Sequence, residues 1–223
     1  DYFYPYKIKD QPFDDNRSFK THGGDFYPDE PGNWRRQNVN TIIQELHYTI
    51  KRMKPWVQFG ISPFGVWRNQ SDDLRGSVTQ AGQTNYDDLY ADIILWMKSG
   101  WIDYILPQAY WRIGHEKVDY KEIVEWWAKN SFGTNLYIGH GLYRLGNKNE
   151  NEAWSLQKPT QIERQLDLNK QIPAIQGSVF FSAKSLVANT FQINEALENK
   201  FYQNPILQPI ANKNDKFTPQ PVT

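Results

Sequence analysis

The sequence predicts an α/β fold in which parallel strands alternate with helices. Four short apolar runs have the character of buried strands, at residues 56–61, 102–106, 136–138 and 178–181. Helical patterns lie between these runs, and such an alternation favours right-handed βαβ units and a parallel sheet. Together with an opening strand exit at residues 1–4, the runs indicate about five βα units. This number fits either part of a closed barrel or a complete open sheet.

Five segments have the apolar periodicity of helices. Residues 38–53 place apolar side chains on one face and end before Pro55, which cannot continue a helix. Residues 87–98 follow the same pattern and end before Gly100. The other three predicted helices cover residues 120–129, 160–169 and 189–199. We predict one domain over residues 1–203, followed by a proline-rich extended segment over 204–223.

Composition excludes several classes of function. The chain has 25 basic and 25 acidic residues, so nothing indicates a nucleic-acid partner. It has no cysteine, which excludes disulfides and thiolate metal sites. No apolar run approaches the ~20 residues of a membrane span. The four histidines form no metal pattern and there is no phosphate-binding glycine loop, so we predict neither a metal nor a cofactor.

Aromatic residues make up 15% of the chain, and many follow the predicted strands. In parallel α/β folds, ligands bind beyond the carboxyl ends of the strands. Rings pack on the apolar C–H faces of sugars, whereas amides, guanidinium groups and carboxylates bind their hydroxyl groups. Five strand-end segments mix both kinds of side chain: residues 1–6, 62–69, 107–111, 139–143 and 181–183. The sequence therefore predicts an oligosaccharide or polysaccharide ligand at this edge.

The predicted binding residues fall into two groups. Rings expected to line the site or stack on sugars are Tyr2, Tyr4, Trp67, Tyr110, Trp111 and Tyr143, and groups expected to hydrogen-bond are Arg68, Asn69 and Gln108. His140 is the histidine placed at a strand end, where it either bonds a sugar or fills the rim of the fold.

Glycoside cleavage usually needs two carboxyl groups, one acting as acid and one as nucleophile or base. Asp1 is the first candidate because it ends a predicted strand, although it could instead bond loop amides. Glu163 is the second. It follows Thr160 in a capping-box pattern at a helix start on the same face, and simple capping is the alternative role.

Longer motifs resemble one protein family. Asp-Tyr-Phe-Tyr-Pro-Tyr at residues 1–6, Trp-Arg-Arg-Gln-Asn-Val at 34–39 and the segment at 59–69 carry the resemblance. Further matching segments lie at 88–92, 100–105, 107–111 and 135–139. They are similar to the glycosyl-hydrolase-like 10 family over almost the whole chain.

The resemblance implies that this chain is the C-terminal portion of a (β/α)8 TIM-type barrel. It also implies an O-glycosyl hydrolase of bacterial envelope glycans, such as peptidoglycan strands, in an exported or lipoprotein parent. Family members carry further βα units, and usually a second Asp, before the segment that matches residues 1–6. We therefore interpret the chain, which opens without Met, as a processed or truncated piece that packs against those units.

Two other classes of function remain open on the sequence. One is a glycan-binding barrel without catalysis, favoured by the many rings and few strand-end carboxylates. The other is a scaffold or interaction protein, which only the proline-rich segment supports.

Overall fold

A computed structural model describes residues 4–5, 11–147, 154 and 159–204. Its strands are β1 (Gly60–Ile61), β2 (Tyr104–Ile105), β3 (Asn135–His140) and β4 (Ile175–Phe180). They form one sheet in the order β1-β2-β3-β4, and all neighbouring pairs are parallel. Each strand overlaps one of the four predicted runs, so the predicted parallel α/β fold is confirmed. The predicted strand exit at residues 1–4 falls mostly outside the described residues, as does the segment after Asn204.

The helices lie between and after the strands. They are α1 (Asn16–His22), α2 (Pro31–Met53), α3 (Ile93–Lys98), α4 (Tyr120–Lys129), α5 (Gln161–Asn169), α6 (Ala183–Ala188) and α7 (Ile193–Ala196). Helix α4 has the predicted bounds, and its N-terminus is capped by the Asp119 side chain, which accepts a hydrogen bond from the Lys121 N–H. No helix within the described ranges is long and apolar enough to cross a membrane.

Three predicted helices were wrong in extent. Helix α2 begins at Pro31 rather than at residue 38, with proline at its first position. Helix α3 begins at Ile93 rather than near residue 87, because the Asp88 carboxylate accepts the Thr84 N–H at 2.7 Å and Tyr90 has a φ of 53°. These features form a turn that a helix cannot include. The predicted helix at 189–199 is interrupted, since Asn189 and neighbouring residues also have positive φ values.

The sheet has one face packed against helices. Ile61, Ile105 and Leu136 are almost fully buried in the main core with residues from α2, α3 and α4. The opposite face carries Tyr104 and Tyr137, whose half-buried rings meet edge to face at 5.8 Å. Strand alternation therefore separates an apolar layer beneath the helices from an open, tyrosine-bearing face.

A second, smaller core lies under α5 and the C-terminal turns. Its buried members are Leu142, Leu145, Trp154, Ile162, Leu166, Ile193 and Leu197. Because Leu142 lies just after β3 and Ile162 is in α5, this core anchors the segment that links the end of β3 to α5.

Candidate functional site

The segments that follow β1, β2 and β3 lie side by side at the carboxyl edge of the sheet. Isolated parallel bridges join Phe64, beyond β1, to Gln108, beyond β2, and join Gln108 to Gly139 near the end of β3. The Gln108 side-chain amide donates to the Ser62 carbonyl oxygen at 3.1 Å. The structure thus brings together three of the segments in which the sequence predicted a ligand site.

Three rings form a cluster at this edge, which we call the ring platform: Tyr110, Tyr143 and Phe181. Tyr110 stacks on Phe181 with centroids 6.0 Å apart and an interplanar angle of 23°. Tyr143 meets both of the other rings nearly at right angles, at 6.0 Å in each case. Tyr143 is 42% exposed and Phe181 is 56% exposed. The platform therefore offers aromatic surface to solvent beyond β2, β3 and β4.

Backbone bonds connect the platform to the strands. The Phe181 N–H donates to the His140 carbonyl oxygen at 2.9 Å, and the Tyr143 N–H donates to the Phe181 carbonyl oxygen at 3.3 Å. A Cβ atom at Gly141 would lie 3.2 Å from the Tyr110 side chain and 3.3 Å from the Tyr143 ring. Glycine at this position thus allows the two tyrosines to approach each other closely.

The Tyr110 phenol keeps its proton at neutral pH. Burial, with a smaller contribution from Tyr143, raises the pKa of Tyr110 to about 12. A protonated phenol can donate a hydrogen bond to a hydroxyl or carbonyl oxygen of a ligand. The cluster thus combines apolar ring surface with a polar donor.

Phe181 is a platform residue that was not among the predicted binding residues. It directly follows β4, and the sequence already placed residues 181–183 among the strand-end segments. Its position after a strand was therefore the signal that could have identified it.

His140 lies beneath the platform, in the layer between the sheet and the helices. Its side chain is fully buried, with its ring against Tyr120 of α4 at 5.9 Å and Phe180 at 5.4 Å. Its Nδ1 lies 2.9 Å from the Gln165 side-chain oxygen, and its Nε2 lies 3.0 Å from the Ser178 hydroxyl. Burial lowers the pKa of His140 to about 4. Of its two predicted roles, this placement suits filling the rim, and it leaves no nitrogen facing solvent.

Gln108 and Trp111 lie on the rim beside the platform. The half-buried Trp111 ring meets Phe64 edge to face at 5.3 Å. It also covers Gly65, where a Cβ would lie 2.6 Å from the ring. Gln108 is engaged with Ser62, so its amide ties two rim segments together.

Trp67 has a different environment from the platform rings. It is 2% exposed, stacks on Trp126 of α4 at 5.6 Å and 14°, and meets Tyr86 at 5.9 Å. A ring enclosed in this way has no face available for a sugar. Its predicted stacking role therefore does not fit its position.

Arg68 and Asn69 are held by neighbouring groups. The Arg68 guanidinium forms paired bonds to Asp87, both at 2.8 Å, and a third bond to Asp73 at 2.9 Å. The Asn69 side chain accepts from the Ala81 N–H at 2.8 Å and donates to the Ala81 carbonyl oxygen at 3.0 Å. These contacts fasten residues 62–84, which we call the β1 loop, and suit structural roles better than the predicted sugar binding.

Glu163 forms the capping box that its sequence pattern indicated. Its carboxylate accepts from the Thr160 N–H at 2.6 Å, and the Thr160 hydroxyl accepts from the Glu163 N–H at 3.3 Å. The residue is 8% exposed. Helix α5 does begin on the carboxyl side of the sheet, but the described contact of the carboxylate is the cap.

Three further residues were predicted near the start of the chain, Asp1, Tyr2 and Tyr4. Asp1 and Tyr2 are outside the described residues. Tyr4 lines a separate cavity of about 370 Å³ together with Phe13 and Trp34. Within the described ranges, no group of three His, Asp or Glu side chains is placed to hold a metal ion.

Fold and site together define an α/β protein consistent with part of a TIM-type barrel, with an aromatic surface beyond its strand ends. The chain belongs to the glycosyl hydrolase-like 10 family, whose model matches residues 1–156. This confirms the resemblance drawn from the sequence motifs.

Two relatives share much of the chain. It is 44% identical over 211 residues to "Glycosyl hydrolase YngK" of Bacillus subtilis, covering 94% of this chain and 41% of that protein. It is 38% identical over 185 residues to "Glycosyl hydrolase DigH" of Escherichia coli K12, covering 81% of this chain and 41% of that protein. The chain therefore spans less than half the length of the relatives it matches.

Proposed function

We propose that this chain is the part of a glycoside hydrolase that holds the glycan, with the ring platform as its sugar-stacking surface. The observation that carries the proposal is the exposure of Tyr143 and Phe181 at the carboxyl edge of a parallel sheet. Membership of a glycosyl hydrolase-like family supports the same class of ligand.

The platform suits a sugar for physical reasons. Exposed rings gain from covering the C–H face of a pyranose, and they lose little conformational entropy because they already pack on one another. The protonated Tyr110 phenol adds a hydrogen-bond donor at the edge of the rings. A phosphate or a metal would gain nothing from such an apolar surface.

For the whole protein we propose O-glycosyl hydrolysis of bacterial envelope glycans, with peptidoglycan strands as the substrate. The parent would work in the cell envelope or outside the cell. Two carboxyl groups would supply acid and base catalysis. The carboxyl separation decides between the two stereochemical outcomes, about 5–5.5 Å for retention and about 6.5–9.5 Å for inversion.

We also propose that the open face of the sheet is covered in the whole protein by the other βα units of a closed barrel. The half-buried rings of Tyr104 and Tyr137 on that face would then line the barrel interior. A packed interior of this kind is the usual state of a (β/α)8 fold.

Turnover by the whole protein tests the proposed reaction. Incubation with purified, peptide-free glycan strands should release new reducing ends. Binding of the strands without new reducing ends would instead favour the non-catalytic glycan-binding barrel. The capping bond of Glu163 favours that alternative, because it engages the carboxylate that is a candidate acid.

The substitution Glu163→Gln separates capping from catalysis. A glutamine oxygen still accepts the Thr160 N–H, so α5 should keep its cap and the thermal unfolding midpoint should stay unchanged. Loss of reducing-end release would support Glu163 as the acid. Retained release would remove it from the mechanism, leaving Asp1 and a carboxylate from another part of the parent as the candidate pair.

A further inference from the structure

We propose that Gln165 and His140 are positioning residues that hold the ring platform in its sugar-binding arrangement. With Ser178 they form a chain of side-chain hydrogen bonds beneath the platform, which we call the buried bridge. The proposal rests on the proposed function of the platform and adds the residues that control its geometry.

The first step is the orientation of the Gln165 amide. Gln165 is fully buried in α5, and its Nε2 donates to the Trp111 carbonyl oxygen at 2.9 Å. A carbonyl oxygen can only accept, so this bond fixes which end of the amide carries the hydrogens. The Gln165 Oε1 must then be the atom 2.9 Å from His140 Nδ1. His140 therefore carries its proton on Nδ1, and this N–H donates a hydrogen bond to the Gln165 Oε1.

The second step follows from that tautomer. With Nδ1 protonated and the ring neutral, His140 Nε2 is an acceptor. The Ser178 hydroxyl in β4 can donate to it at 3.0 Å, and the Asn169 amide lies 3.4 Å away. Burial lowers the pKa of His140 to about 4, which agrees with a neutral ring. The buried bridge thus links the segment after β2 to β3 and β4.

The third step connects the buried bridge to the rings. Tyr110 directly precedes Trp111, whose carbonyl oxygen Gln165 holds. Phe181 donates its N–H to the His140 carbonyl oxygen, and Tyr143 donates its N–H to the Phe181 carbonyl oxygen. Tyr110 is thus the sequence neighbour of a residue that the bridge holds. Phe181 is bonded directly to a bridge residue, and Tyr143 is bonded to Phe181. A change in the bridge should alter the spacing of the rings.

A binding titration with the N-acetylglucosamine tetramer tests this in the whole protein. Gln165→Met keeps a similar volume but removes both hydrogen bonds without burying a charge. We expect its Kd to rise about tenfold, in line with the loss of a buried hydrogen-bonded group.

The matched control is Asn40→Leu. It removes a buried bond of 2.6 Å from the Trp96 indole N–H to the Asn40 side-chain oxygen, which joins α3 to α2 and involves no bridge or platform residue. We expect it to lower the unfolding midpoint while leaving the Kd within about twofold. An equal rise in Kd for both variants would show that the weaker binding of Gln165→Met comes from lost stability and not from the bridge, and would overturn the proposal.

Two substitutions of His140 test the tautomer. Asparagine places an N–H near the position of Nδ1 and can still donate to Gln165, whereas glutamine reaches towards the position of Nε2. We expect His140→Asn to bind the tetramer more tightly than His140→Gln. The opposite order would contradict the assigned role of Nδ1.

A measurement without sugar separates this proposal from the proposed function. The fluorine NMR signals of 3-fluorotyrosine at Tyr110 and Tyr143 report the ring environment, and Tyr→Phe variants assign them. We expect both signals to shift in Gln165→Met and to stay in place in Asn40→Leu. Shifts without tetramer binding by the parent would support the bridge and refute the sugar site. Unshifted signals in Gln165→Met would refute the bridge, whatever the sugar does.

Discussion

The β1 loop and the ring platform both follow strands, and both combine rings with hydrogen-bonding groups, yet they are opposite in exposure. In the β1 loop, Trp67 is 2% exposed and lies against α4. In the platform, Tyr143 and Phe181 are 42% and 56% exposed. The difference shows that residue type and strand-end position locate an edge of the sheet, whereas packing decides which residues on it are free to bind.

Charge pairing reinforces the contrast. Arg68 pairs its guanidinium with Asp73 inside the β1 loop and with Asp87 just after it, so the loop is fastened by its own charges and by its neighbour in sequence. It is also fastened to α4, where Glu122 accepts the Val78 N–H and Trp126 donates to the Arg75 carbonyl oxygen. These contacts support our proposal that the platform, rather than the β1 loop, is the binding surface.

The largest expected effect is on the stability of the β1 loop. Trp67→Ala removes a buried ring stacked on Trp126, and such truncations cost about 3–5 kcal/mol of unfolding free energy. Urea unfolding measures this loss. If Trp67→Ala instead left stability unchanged and removed sugar binding, the comparison between the two regions would be reversed.

The next effect is a dependence of the unfolding free energy on pH, which arises from His140 beneath the platform. The folded state binds a proton at His140 only near pH 4, whereas the unfolded chain binds it near pH 6.5. The stability linked to neutral His140 is therefore complete above about pH 6.5 and decreases as the pH falls towards 4, by about 3 kcal/mol.

Unfolding free energies measured at several pH values between 4 and 7 check this slope. The unsubstituted protein should lose more stability than the His140→Asn variant, which has no titrating ring. Parallel curves for the two proteins would show that His140 does not titrate as its burial requires.

A smaller loss is expected at Asn69. Asn69→Ala removes the side chain that pairs with both backbone groups of Ala81, and we expect a loss of about 2 kcal/mol. Thermal unfolding measures the change, and the affinity for the tetramer should remain that of the unsubstituted protein. A selective loss of affinity at full stability would return Asn69 to the list of sugar-binding groups.

The smallest change in unfolding free energy is expected for a substitution in the platform. Tyr143→Ala removes a partly exposed ring that packs on Tyr110 and Phe181, so the unfolding free energy should fall by about 1 kcal/mol. The Kd for the tetramer should rise about tenfold, equivalent to about 1.4 kcal/mol. Tyr143→Phe is the matched control, since it retains the ring and should bind within about threefold of the parent. Unchanged binding by Tyr143→Ala would remove this ring from the site.

Local sequence rules predicted much of the fold. Helix α4 has its predicted bounds because its cap at Asp119 and its apolar periodicity act over a few residues. The capping box of Thr160 and Glu163 was predictable for the same reason. The start of α3 was not, because Asp88 bonds to Thr84 instead of continuing a helix.

The candidate site was predictable only as an edge of the sheet. Tyr110 and Tyr143 were identified as binding rings, but so was Trp67, since nothing local distinguishes an exposed ring from one covered by a distant Trp126. The role of His140 depends on Gln165 and Ser178, 25 and 38 residues away along the chain. Such partners are set by tertiary packing, which periodicity and propensity do not report.

A structure of the whole protein with bound N-acetylglucosamine tetramer is the sharpest test of the ring platform as the sugar-binding surface. We expect a sugar ring in van der Waals contact with the exposed faces of Tyr143 and Phe181, with its atoms within about 4.5 Å of those rings. A tetramer seated on the β1 loop, with the ring platform left uncovered, would contradict it.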